Sequence, residues 1–133
     1  MSKKSDGLIA DMLGHRWSYT STATNATNTA QVTPTPLSSR DKQHMDFFNW
    51  TILNKNTASF TMAGQIRDVS VAGTVLAQWS MILPGSQVAQ VAPAGIHLQA
   101  TGGKALFFTT DTVQPSVTST VNAAGWTDQS SDY

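Results

Sequence analysis

From His44 to Ala124 the chain alternates apolar and polar residues, and Gly, Pro or Asn interrupts the alternation at short intervals. A period of two places successive side chains on opposite sides of a strand, so each run predicts a strand with one buried face. Runs this short give about seven or eight strands, the number that two packed antiparallel sheets need. At 133 residues the chain reads as one all-β domain, an antiparallel β-sandwich or jelly roll.

The individual strands follow from the pattern. Arg16-Trp17-Ser18-Tyr19-Thr20 opens a first strand over 16–23, with its two aromatic rings on one face. In 47–53, Phe48, Trp50 and Ile52 share a face; in 59–68, Phe60, Met62, Gly64 and Ile66 point inward and Thr61, Gln65 and Arg67 outward. The clearest run is 74–83, where Val75, Ala77, Trp79, Met81 and Leu83 oppose Gln78, Ser80 and Ile82. Pro84-Gly85 predicts the central pair of a type II turn into a strand over 87–91. Strands over 106–110 and 116–124 complete the set.

Residues 1–37 read differently, as an amino-terminal helix followed by an extended arm or edge strand. Ser5 or Asp6 caps a short amphipathic helix over 5–13, with Leu8, Ile9, Met12 and Leu13 on one face and Gly14 as its stop. Two turns do not hold in water alone, so this helix requires a surface to lie on. Residues 25–36, rich in Thr, Asn and Pro, form an arm, a loop or an edge strand. The sandwich core then spans 38–126, and 127–133 is a polar tail.

Composition narrows the function. Eight basic and eight acidic residues cancel, and only 12% of the chain is charged, which disfavours nucleic acid or an anionic membrane as the main partner. There is no Cys, hence no disulfide framework and no thiolate site. All the acids are Asp, while Thr and Ser make up roughly a quarter of the chain, a composition suited to strand faces. Leu8-Ile9-Ala10 is broken at Asp11 and cannot serve as a secretory apolar core, and no run is long enough to span a membrane, so a soluble protein made in the cytoplasm is expected.

No motif for catalysis emerges. The Asp residues sit at turns and strand ends, where they form turns more readily than an acid and base pair. Asp41, His44 and Asp46 come nearest to a metal-ligand spacing but lack a second His, and no cofactor is expected. Thr101-Gly102-Gly103-Lys104-Ala105 lacks both the first Gly and the hydroxyl residue of a phosphate loop, and reads as a Gly-Gly turn before a strand. Trp50 and Trp79 fall on inward faces; Trp17 and Trp126 are the freer pair, and Ile96, His97 and Leu98 are unusually apolar for a connection.

Several stretches carry a family likeness. Gly14-His15-Arg16-Trp17-Ser18-Tyr19, the strand end Ile52-Leu53-Asn54, Ile66-Arg67-Asp68, Gly73-Thr74-Val75-Leu76-Ala77-Gln78-Trp79 with Leu83-Pro84-Gly85, and Val121-Asn122-Ala123-Ala124-Gly125-Trp126 resemble small virion proteins of tailed bacteriophages. The resemblance implies a β-sandwich on the outside of a virion, a capsid decoration or cement protein or a head or tail accessory, commonly a homotrimer that grips the shell by extended arms. The helix over 6–13 departs from that pattern.

The expected function is therefore structural and not enzymatic: a virion protein whose partners are the major capsid protein or other virion proteins and further copies of itself. Leu8, Ile9, Met12 and Leu13 are the expected anchors, with Trp17 and Trp126 at subunit contacts. The alternative is a carbohydrate-binding or host-recognition module of a tail or fibre, which requires Trp17 or Trp126 to stand alone in solvent beside Asn, Gln or Asp.

Overall fold

Nine strands form among residues 15–24, 29–111 and 116–129, which are the residues described by the computed structural model. They are β1 (Arg16–Thr24), β2 (Ala30–Gln31), β3 (Lys42–Asn54), β4 (Phe60–Asp68), β5 (Val75–Leu83), β6 (Val88–Val91), β7 (Leu98–Gln99), β8 (Leu106–Thr110) and β9 (Val117–Asp128). The described residues contain no helix, and so none that is long and apolar enough to cross a membrane. The helix expected over 5–13, with Leu8, Ile9, Met12 and Leu13, lies outside them.

Two antiparallel sheets stack. One has the order β1-β9-β3-β6, with β7 pairing β3 off that path; the other has the order β2-β8-β4-β5. The hydrogen-bonded pairs are nested: β1 with β9, β2 with β8, β3 with β6, β4 with β5. This is the wrapped connectivity of a jelly roll; the two packed sheets agree with the sequence pattern, and the strand order decides between the two arrangements that the pattern left open.

The core lies where the inward faces meet. Phe48, Trp50 and Ile52 of β3, Met62 and Ile66 of β4, Leu83 of β5, Phe108 of β8 and Val121 of β9 are all essentially sealed from solvent. Aromatic rings bridge the two sheets: Phe48 stacks on Trp79 at 4.8 Å, and Trp50 meets Phe108 edge-on at 5.2 Å. At one end Asn54 is fully buried and replaces missing ladder bonds. Its Nδ2 donates to the carbonyls of Ala58, Leu83 and Pro84, and its Oδ1 accepts from the Asn56 amide.

Three expectations change. β3 begins at Lys42 and carries a bulge between Met45 and Phe47, so Gln43 and Met45 face inward before it and Phe48, Trp50 and Ile52 after it. The extra residue switches the phase of the alternation, which hid the first half of the strand. β9 continues through Asp128, so Thr127 and Asp128 belong to the sheet and not to a polar tail. In the Pro84-Gly85 turn the positive φ falls on Ser86, at 58°, and Gly85 is required for space, because a Cβ there would lie 1.9 Å from the Thr57 carbonyl oxygen.

Within the stretch 1–37, β1 is the edge of one sheet and β2 the edge of the other. They are woven into the domain. β1 pairs with β9 along its whole length, and Val32, just beyond β2, is fully buried.

Candidate functional site

One end of the sandwich gathers the chemistry-bearing side chains. There β1 begins, β9 ends, and the connections 32–41, 69–74 and 92–105 close over the core. Gly103 binds these connections together: its amide donates to the Asp41 carbonyl at 2.8 Å, and at φ 75° it packs against Ser39. The Thr101–Lys104 segment is thus a turn before β8, as its Gly pair predicts.

Trp17 and Trp126 come to this end on neighbouring strands but on opposite faces, since Arg16 pairs Trp126 and Trp17 pairs Gly125. Trp17 points inward, half-buried against the core, with its ring over Gly125 and its Nε1 buried without a partner. A cavity of about 320 Å³ opens beside it, between β1 and the segment leaving β2, lined by Trp17, Pro34, Pro36, Leu37, Gln43 and Gln129 among others. Gln43 is 1% exposed and fixes the cavity wall, donating to the Pro34 carbonyl and accepting from the Thr127 hydroxyl. Leu37 stands at the rim, 96% exposed.

Trp126 points outward into a cluster of rings. His44, opposite it on β3, lies parallel to the indole at 4.7 Å, and His97 of the 92–105 connection stacks on both. His44 Nδ1 and His97 Nε2 are 2.9 Å apart, and His44 Nε2 is buried and faces Asp128 at 3.8 Å. A proton on Nε2 toward the carboxylate leaves Nδ1 as acceptor and His97 Nε2 as donor. Ile96 and Leu98 pack against the core on either side of His97, which accounts for their apolar character.

Asp41, His44 and Asp46 do not converge. The Asp46 carboxylate receives Arg16 at 3.2 Å through both oxygens, Asp41 lines the cavity by Trp17, and His44 turns to His97. Among the described residues no three His or Asp residues group to hold a metal ion. Both nitrogens of His44 face partners inside the cluster, which makes this a structural ring stack.

Burial, reinforced by His97, holds the His44 imidazole below its usual value, while Asp128 pulls in the opposite direction and Lys42 adds slightly to the lowering. The unfolded chain therefore binds a proton before the folded one does. The stability that neutral His44 contributes is complete above its unfolded pKa, about 6.5, and is lost as the pH falls below that value. Thermal melts are expected to show a midpoint that falls between about pH 7 and pH 5, with a shallower fall in His44→Gln. Equal slopes in the two proteins would mean that the cluster does not titrate with folding.

The third feature is the β4–β5 connection. Val69 has φ 78°, and the Ser70 amide donates to the Asp68 carbonyl at 2.9 Å, which makes a γ-turn of the rare positive-φ kind on a β-branched residue. The surroundings hold it there. The Asp68 carboxylate accepts from the amide and hydroxyl of Thr101, Arg67 Nη1 donates to the Gly73 carbonyl, and the Val69 amide donates to Ala105. Val69 and Val71 are left 44% and 50% exposed on this rigid knuckle. Nothing in the residue pattern announces it, because the run Asp68-Val69-Ser70-Val71 reads as strand or loop alike.

No family model matches the chain, and no curated protein matches it. Among solved structures it is similar to a chain of the Bacillus endospore appendages, disulfide-linked pili, at 11% identity over 84% of this chain and 86% of that one, TM-score 0.37. It is similar to the Tobacco streak virus coat protein at 8% identity over 84% and 86%, TM-score 0.39. It is also similar to the family 11 carbohydrate-binding module from Clostridium thermocellum at 13% identity over 84% and 88%, TM-score 0.37. These likenesses assign the chain to no family.

Proposed function

We propose that this chain is a non-enzymatic structural protein of a virus particle, a decoration or cement protein that binds the outside of a phage head and stabilises it. The observation that carries the reading is the Val69–Val71 knuckle. Backbone strain persists only where the surroundings impose it, and here they impose a conformation that turns two apolar side chains to solvent. Such a loop serves a surface that packs on another molecule, and Leu37 and the Trp17 cavity offer further apolar surface. The likeness of the strand and turn sequences to small phage virion proteins supports the same reading, and a jelly roll is a frame that capsid proteins use. The alternative of carbohydrate recognition is less well supported, because both imidazoles stack on Trp126 and Trp17 points inward.

In this reading residues 1–14 reach the shell from the start of β1, with Leu8, Ile9, Met12 and Leu13 as anchors, and a symmetric shell multiplies modest contacts. The test is a binding assay on phage heads stripped of accessory proteins. Removing residues 1–13 takes away no described strand, so a folded protein that no longer binds heads is expected. Val69→Asp with Val71→Asp is expected to weaken binding about thirtyfold or more, the effect of losing about 2 kcal/mol at a contact centre. Undiminished binding by both variants would overturn the proposal, as would a full-length chain that does not bind heads.

A further inference from the structure

The ring cluster at the end of the sandwich has room for one added proton and not for two. In the neutral pair the 2.9 Å contact between His44 Nδ1 and His97 Nε2 holds one hydrogen, given by His97 and accepted by His44. A single added proton leaves an acceptor on one side of that contact, and the cation lies over the indole of Trp126, 4.7 Å from His44 and 5.4 Å from His97. A second proton puts an N–H on both sides. Two donors and two like charges then meet at 2.9 Å, and one ring must leave.

The fold decides which ring leaves. His44 is 8% exposed and sits within β3, between β9 and β7. His97 is exposed, and its segment is lightly held: β7 pairs with β3 through two residues, and the Ala100 amide donates to the Gln43 carbonyl. Beyond Ala100 the connection is pinned, since the Asp68 carboxylate accepts from the Thr101 amide and the Gly103 amide donates to Asp41. Before His97, Gly95 stands at φ 68° with nothing within 4 Å of a Cβ position, so the backbone turns there without obstruction. The surrounding charges do not offset the second proton. Asp128 of β9 favours the charged form of His44, Lys42 of its own strand opposes it, and Arg16 of β1 and Asp46 of β3 are paired with each other. From 92 to 103 the connection has no Lys, Arg or Asp.

We infer that residues 92–99 form an acid-released flap: when His44 and His97 both carry a proton, the segment swings off β3 and bares Ile96, Leu98 and the ring of Trp126, while the rest of the sandwich stays folded. This differs from the fall in overall stability described above and is independent of head binding, since it is a local opening of the free protein. The closed pair holds one added proton and the open pair two. The open population therefore rises by up to tenfold for each pH unit below the ordinary histidine value of about 6.5.

Amide hydrogen exchange of the full chain between pH 7 and pH 4.5, corrected for the intrinsic rate, is the test. Protection over 98–100 should fall about tenfold per unit in the acid half of that range, at pH values where 119–123 of β9 remain far better protected. His97→Phe keeps a ring on Trp126 and removes the second donor, so it should flatten that fall. Imidazole NMR of the unmodified protein needs no variant: the second protonation of the pair should coincide with the loss of protection. Protection over 98–100 that does not change with pH, or that falls only to the level of 119–123, would overturn the inference. So would a His97→Phe protein that opens as steeply as the wild type, or a pair that takes both protons while 98–100 stays protected.

Discussion

Replacing Trp50 by alanine is expected to cost about 4 kcal/mol of stability, close to the whole margin of many domains of this size. Trp50 is fully buried at the centre of β3. Its ring lies so close over Gly64 of the facing sheet that a Cβ there would be 2.7 Å from Cζ3, and it meets the ring of Phe108 edge-on. Its indole nitrogen donates to the hydroxyl of Ser119, which is also buried. Alanine removes the contacts to both sheets at once, and the opposed strands cannot close the gap without shifting their ladders. Urea unfolding is the measurement. Trp50→Phe, which keeps a ring and gives up the indole N–H, should recover more than half of the loss, and equal losses in the two variants would show that the hydrogen bond outweighs the packing.

The second large effect is expected at Gly125, which holds the functional end together from below. A Cβ there would lie 1.7 Å from the His44 carbonyl oxygen and 2.8 Å from Trp17 Cζ2. The first contact is with backbone, so no rotamer change relieves it, and β9 must separate from β3 beside the bulge. Gly125→Ala should cost about 3 kcal/mol or more and disturb Trp17 and Trp126 together, seen as a lowered melting midpoint with a shift in tryptophan fluorescence. Gly95→Ala is the comparison. Nothing lies within 4 Å of a Cβ at Gly95, and only its φ of 68° opposes a side chain, so a loss of about 1 kcal/mol is expected. If the two substitutions cost the same, the tight approach of β9 to β3 is not what Gly125 provides.

Much of the fold was legible in the sequence because period two survives wherever a strand is regular. β4, β5 and β8 fall within a residue or so of where alternation places them, and Trp50 is buried as its face demands. The pattern fails where the backbone departs from regularity. The bulge at Asp46 reverses the phase of β3, so the regular strand expected over 47–53 misses its first half, where Gln43 and His44 are both buried. β2 is too short for any period to show, and only Val32 betrays that the chain enters the core there.

The site was less legible, for a different reason. His44 and His97 are 53 residues apart and meet only because β7 brings the 92–105 connection against β3. Trp17 and Trp126 stood out singly as free aromatic residues, yet the register of β1 on β9 is needed to put them on opposite faces of one sheet. The strained turn at Val69 depends on acceptors and donors from Thr101, Ala105 and Arg67, none of which is its sequence neighbour in any pattern a reader of the chain can follow.

The nested pairing of β1 with β9 also dictates when the molecule can form during synthesis. β9 is the central partner of both β1 and β3, and it is the last described strand to leave the ribosome. Until it arrives, one sheet has no middle, and β1 has nothing to pair with over more than ninety residues of chain. Loop closure over such distances is slow, and folding dominated by remote pairs takes milliseconds to seconds. Through that interval the uncharged β5 segment is present with no completed sandwich to shelter it, so yield in a cell should depend on how fast β9 follows and fall when synthesis is made to pause between β5 and β9.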